Sequence, residues 1–176
     1  MRLKTERLIL RHPEARDAED YFSFCNSEFV LRYNAMTLKT LENIRDQFSK
    51  ENPDTLLLEL KATGKVIGEI CIQEDSLRYG VASKEVSYHL CEQYARQGYM
   101  KEALGAVIAY LFENENLECI SARCFQPNTA SLALLRSLGF QQNGVIPRCV
   151  KGYRDRVFDD VLHTLFLSDF QGDNYA

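Results

Sequence analysis

The alternation of apolar and polar positions divides the chain into short segments. Leu8 to Arg11 is a brief apolar run before Pro13 and predicts a strand. Asp17 to Cys25 carries Tyr21, Phe22 and Phe24 and reads as a helix. Thr40 to Lys50 sets Leu41, Ile44 and Phe48 at helical spacing, and Asn52-Pro53-Asp54 then marks a turn. Thr55 to Lys61 and Lys65 to Ile72, joined across Thr63-Gly64, predict a hairpin. Glu85 to Leu90 alternates, with Val86, Tyr88 and Leu90 on one face and Glu85, Ser87 and His89 on the other. The clearest helix runs from Lys101 to Glu115, where Leu104, Val107, Ile108, Leu111 and Phe112 form one stripe suited to lying on a sheet. Cys119 to Phe125 reads as a strand. Pro127-Asn128-Thr129 opens another helix, with Asn128 or Thr129 as its cap and Gly139 just past its end. Phe140 to Val150 and Val157 to Leu167 are the last predicted strands, and the polar segment SDFQGDNYA is expected to be loose.

The resulting order is strand, two helices, three strands, helix, strand, helix, two strands. It predicts an α/β (α+β) fold with a mixed sheet and helices on both faces. No repeat or linker interrupts it, so residues 1–168 are expected to form a single domain and 169–176 a polar tail. At 45% hydrophobic and 26% charged residues the chain is ordinary globular protein. With 21 basic and 25 acidic residues, a net charge of -4, it lacks the basic excess of a general nucleic-acid binder. No run approaches the roughly 18 apolar residues of a membrane span, and the N-terminus lacks a signal-peptide pattern, so a cytoplasmic location is expected.

Six cysteines (25, 71, 91, 119, 124 and 149) then become the obvious question. There is no Cys-x-x-Cys pair, and His12, His89 and His163 are scattered, so no metal site is predicted. In a reducing compartment such cysteines serve as small buried hydrophobes.

Three segments could carry chemistry. In QYARQGYMKEAL, residues 93 to 104, Gly98 precedes a helix whose first amides and dipole can hold an anion, with Arg96 and Lys101 beside them; a plain turn explains the same glycine. In QPNTASLALLRSLGF, residues 126 to 140, Asn128 and Ser131 share one face at a helix start; capping alone also accounts for Asn128. Glu85, on a strand with Tyr88, is a candidate general base if half-buried, or an edge carboxylate if not.

Together these segments resemble the GNAT superfamily of acetyl-CoA-dependent N-acetyltransferases, and within it the branch of ribosomal-protein-alanine N-acetyltransferases. The resemblance runs in order through TERLILR (5–11), KATGKVIGEICI (61–72), EVSYHL (85–90), YARQGYMKEAL (94–104), NTASLALLRSLGF (128–140) and YRDRVFDDVLHTL (153–165). It implies a mostly antiparallel central sheet of about seven strands, splayed in the middle. It implies that the backbone at Leu90 and Cys91 pairs with the pantetheine arm of acetyl-CoA. Arg96, Gln97, Gly98, Tyr99, Met100 and Lys101 would wrap the pyrophosphate, Asn128 would contact the arm, and Ser131 would lie near the sulfur. Glu85 would act as base, with Ser131 or Tyr88 assisting the leaving thiolate. No metal is expected. The acceptor would be an amine, either a protein N-terminus or a small molecule such as an amino acid or an amino-sugar antibiotic; a non-catalytic coenzyme A-binding module of this fold is the alternative. A nucleic-acid or membrane partner is not expected, and the assembly is expected to be a monomer or homodimer. Two positions depart from the family pattern. The loop consensus places Gln or Arg, Gly, and Gly or Ala where this chain has Ala95, Gly98 and Met100, so Met100 must point away from the phosphates. Leu135 stands where many relatives have an acidic tyrosine.

Overall fold

The computed structural model describes residues 1–170. The strands are β1 (Arg2–Lys4), β2 (Leu8–Arg11), β3 (Thr55–Leu60), β4 (Val66–Glu74), β5 (Ser83–Leu90), β6 (Cys119–Phe125), β7 (Gln141–Lys151) and β8 (Val157–Phe166). The helices are α1 (Ala18–Cys25), α2 (Glu28–Leu31), α3 (Leu41–Phe48), α4 (Tyr99–Asn114) and α5 (Thr129–Ser137). All eight strands form one sheet in the order β1-β2-β3-β4-β5-β6-β8-β7. Only β5 and β6 run parallel, joined by the crossover helix α4; every other neighbouring pair is antiparallel.

The sheet therefore has eight strands where about seven were expected. The addition is β1, which pairs its three residues with β2 through Arg2↔Arg11 and Lys4↔Ile9. Three residues on an edge are too few to show an alternation. The four-residue α2 leaves no periodic signal for the same reason, although Ser27 caps it by accepting from the Val30 amide.

Helices cover both faces, as expected. On one face α4 contributes Leu104, Val107, Ile108 and Leu111, which pack with Ile70, Val86 and Ile120 of the sheet and with Leu135 of α5. On the other, Tyr21 and Phe24 of α1 and Ile44 and Phe48 of α3 pack against Leu57 and Val66. The buried Arg11 guanidinium ties the edge together. It makes a bidentate pair with Asp17 at 2.7 and 2.8 Å and reaches Glu59 at 2.6 Å, fixing the start of α1 to β2 and β3.

Two expectations need correction. Cys25, Cys119 and Cys124 are buried and Cys71 and Cys91 half-buried, but Cys149 is exposed because it lies on the edge strand β7. The start of the supposed loose tail is ordered: Leu167–Asp169 form a 3-10 turn and the Phe170 ring lies 5.1 Å from that of Phe112. Residues 171–176 of that tail lie outside the described residues. No helix among the described residues is long and apolar enough to cross a membrane.

Gly68 on β4 faces Leu90 of β5. A Cβ there would stand 2.7 Å from the His89 carbonyl oxygen and 2.9 Å from Leu90 Cδ1. Gly68→Ala is expected to push the two strands apart and to cost about 1–3 kcal/mol of stability, read from the midpoint of denaturant unfolding.

Candidate active site

The site begins where two strands part. β5 and β6 are paired from Ser83↔Cys119 to Val86↔Ala122 and no further. Beyond that point β6 follows β8, with Arg123↔Leu162 and Phe125↔Asp160, while β5 stays on β4 as far as Gly68↔Leu90. The Cys91 amide donates to Ile67 O at 2.8 Å. Antiparallel ladders alternate, so Ser87 and His89 also turn their backbone groups to β4, and Tyr88 and Leu90 turn theirs to the opening. This corrects one expectation. Cys91 donates to Ile67, and its carbonyl accepts from the Tyr94 amide at 3.0 Å, so its backbone is already committed. The open edge belongs to Tyr88 and Leu90.

The loop expected to hold an anion lies at the N-terminus of α4. Gly98 is its N-cap with φ of 83°, a left-handed conformation that suits glycine. The helix ladder begins where the Glu102 amide donates to Gly98 O at 3.0 Å, which leaves the amides of Tyr99, Met100 and Lys101 ahead of it. Arg96, also at positive φ (61°), and Gln97 are exposed beside these amides, as is Lys101. The Met100 side chain is buried in the core, so it points away from the loop as the family pattern requires.

The loop is held from behind by the N-terminal segment. Glu102 accepts from the Thr5 hydroxyl (2.6 Å), the Arg7 amide (2.8 Å) and Arg7 Nε (2.6 Å). Burial acts against the Glu102 carboxylate, but these three donors hold its pKa below the usual range. Arg7 Nη1 in turn donates to Gln97 O at 2.9 Å, and its guanidinium lies 4.2 Å from the centre of the Tyr99 ring. The segment TERLILR thus fixes the loop by a carbonyl and an aromatic ring and leaves the amides free.

On the same side of the sheet, Asn128 caps α5 by accepting from the Ser131 amide at 3.2 Å. Ser131 Oγ is 2.7 Å from the Tyr88 hydroxyl. Burial raises the Tyr88 pKa, with Ser131 opposing, so the phenol stays protonated as a donor. Leu135 is fully buried in the core and carries no hydroxyl, so Tyr88 and Ser131 are the hydroxyls brought together beside this helix start.

Through the opening, a cleft of about 430 Å³ reaches the other face of the sheet, where Glu85, Ser87 and His89 line it together with Tyr88, Asn128 and Ser131. Glu85 is half-buried. Burial raises its pKa, Arg123 opposes, and Asp75 and Asp160 raise it further. Arg123 is engaged by Asp160, with Nε to Oδ2 at 2.7 Å. The structure thus brings Glu85, Tyr88, Asn128 and Ser131 to one cleft. It also adds Glu69, Arg123 and Asp160, which sequence reasoning passed over. The one signal was a carboxylate at Glu69 inside the apolar run IGEICI.

These contacts predict that Glu102→Gln loosens the loop without touching the cleft. The Kd for coenzyme A, measured by calorimetry, is expected to rise roughly five- to tenfold, since the lost charge-assisted bonds are partly exposed. An unchanged Kd would separate the clamp from the loop.

Comparison with known proteins agrees with this geometry. Residues 7–141 match the Acetyltransferase (GNAT) domain family. The chain is 30% identical over 154 residues to the uncharacterized N-acetyltransferase YoaA of Bacillus subtilis, covering 82% of this chain and 85% of that one. Its fold is similar to the crystal structure of the ribosomal-protein-S5-alanine acetyltransferase of Vibrio fischeri, with a TM-score of 0.82 at 18% identity over 97% and 99% of the two chains. It is similar also to Mycobacterium smegmatis RimJ in complex with CoA-disulfide, with a TM-score of 0.78 at 17% identity over 96% and 88%. The splayed strands, the helix-start loop and the domain match lead to one conclusion: the chain belongs to the GNAT acetyltransferase family.

Proposed function

We propose that the protein transfers an acetyl group from acetyl-CoA directly to a primary amine, and that a protein N-terminal α-amine is its acceptor. One observation carries the transfer: the open edge of β5 at Tyr88 and Leu90, which faces a cleft running through the sheet. The residues present fit the donor molecule. The free amides of Tyr99, Met100 and Lys101, with Arg96, suit a pyrophosphate. The unpaired backbone groups of Tyr88 and Leu90 suit the amides of pantetheine, and Asn128 lies beside them. Acetyl-CoA supplies the activated thioester.

The chain's own groups do the rest. Glu85 takes a proton from the incoming ammonium, through water where the gap requires it. The neutral nitrogen then bonds to the acyl carbon while the Tyr88 or Leu90 amide stabilises charge on the oxygen. As the carbon–sulfur bond breaks, the Tyr88–Ser131 pair would donate a proton to the departing sulfur and would be reprotonated by the second proton that the acylated nitrogen sheds. The preference for an α-amine follows from titration. At pH 7 about one α-amine in seven is neutral, against about one lysine amine in 2,500. A single half-buried carboxylate has far less to do with the former. The similarity in fold to an alanine acetyltransferase supports the same choice.

The test is coenzyme A release with a panel of amines that includes alanine-led peptides, small amines and amino sugars. Turnover highest with the peptides is expected. Tight acetyl-CoA binding with no amine accelerating release would leave a binding module instead. The pH profile tests Glu85. It works as a base only when deprotonated, and its raised pKa places the fall in kcat/KM at higher pH than an ordinary carboxylate would. Glu85→Gln is expected to lower the rate most above the pH at which Glu85 loses its proton and below that at which the amine loses its own, to converge with wild type at the acid end, and to remove that inflection. An unaltered profile would exclude it.

A further inference from the structure

The cleft holds a second carboxylate that the transfer does not use. Glu69 is 8% exposed and sits opposite His89 on the face that also carries Cys71, Ser87 and Glu85. A nearly buried carboxylate is costly without a cation beside it. Glu85 has Arg123 near it, but among the described residues no lysine or arginine lies within ion-pair distance of Glu69. Of the cations lining the cleft, Arg123 is engaged by Asp160. The Lys39 ammonium is directed to Gln47 Oε1 at 3.5 Å, with the Tyr21 ring 5.3 Å away; its charge is felt at His89 and Cys71, but it makes no ion pair with Glu69. Burial holds the His89 pKa down, so its ring, 3.9 Å from Glu69 Oε1, supplies no charge at neutral pH. Cys71 donates to Glu69 at 3.2 Å, but burial and Glu69 push that thiol up to about 12, so it is a neutral donor.

Two further side chains meet this carboxylate and line the cleft. The buried Tyr21 hydroxyl lies against Glu69, whose charge and hydrogen bond help to raise the pKa of the phenol after burial itself. His89 turns Nδ1 toward Glu69, while its Nε2 is buried and, among the described residues, has no hydrogen-bond partner. Such an atom is uncommon in folded proteins and asks for a reason. Glu69 and Glu85 are four residues apart in register on neighbouring strands, which separates them by about 13 Å along the sheet. One nitrogen cannot serve both.

We propose that Glu69 anchors a second ammonium group of the acceptor, distinct from the amine that is acetylated, with Tyr21 and His89 completing a polar floor around it. The inference rests on the amine-acetylation reading above and narrows it to dibasic acceptors. A basic side chain close to a peptide N-terminus and the far end of a small diamine offer the same chemistry.

The experiment compares matched acceptors that differ only in that charge: propylamine with diaminopropane, pentylamine with cadaverine, and Ala-Lys-Ala with Ala-norleucine-Ala. Coenzyme A release is followed with wild type, Glu69→Gln and Glu69→Asp. In wild type the dibasic member of at least one series is expected to have a KM lower by about tenfold or more, with similar kcat, as one charge-assisted contact provides. That ratio should fall toward one in Glu69→Gln and persist largely in Glu69→Asp. A preference in the diamines alone identifies a small acceptor, and one in the peptides alone a protein. Equal KM values within every wild-type pair, or a ratio unchanged in Glu69→Gln, would overturn the anchor while leaving acetyl transfer standing. No turnover of any amine would overturn both. If Glu69→Gln does not fold, the wild-type pairs decide.

Discussion

Everything at the site depends on backbone hydrogen bonds that, among the described residues, β5 has no neighbouring strand to make. A strand inside a sheet normally pairs both edges with other strands, and unpaired buried amides are costly. Here β4 takes one edge of β5 from Lys84 to Leu90, but β6 is drawn away by its continuous pairing with β8 after Ala122. Tyr88 and Leu90 are left with donors and acceptors facing an opening. A ligand arm that carries its own amides would restore the ladder, which is the role proposed for pantetheine.

The splay also divides the chemistry between two faces. On the α4–α5 side are helix-start amides, Arg96, Lys101 and the Tyr88–Ser131 hydroxyls, which favour negative charge and a departing sulfur. On the α1–α3 side are Glu85 and Glu69, which favour a cation. The proposed reaction would draw an anionic donor and a cationic acceptor to opposite faces, to meet at one gap. The N-terminal segment contributes from behind the loop, since Thr5 and Arg7 hold it through Glu102 and Arg7 also donates to Gln97 O and lies on the Tyr99 ring.

Much of this was readable in the residues. The stripe from Leu104 to Phe112, the cap at Asn128, the turn at Gly64 and the alternation around Tyr88 are local signals, and each produced the element expected. What stayed hidden was non-local. That Cys91 is committed to Ile67 and Tyr94, that Leu90 and Tyr88 face the gap, and that Glu69 stands beside His89 all follow from strand register, which no local pattern states. Arg123 and Asp160 meet across β6 and β8 for the same reason. β1 and α2 were lost because three or four residues carry no period, and the exposure of Cys149 because edge position is a property of the sheet.

The most direct measurement is amide hydrogen exchange, resolved by residue, with and without saturating coenzyme A. The open-edge account predicts that Tyr88 and Leu90 are fast in the free protein and become protected on binding, together with the amides of Tyr99 to Lys101, while Ser87, His89 and Cys91 are slow throughout. Binding that protects the helix start but leaves Tyr88 and Leu90 exchanging as before would contradict it.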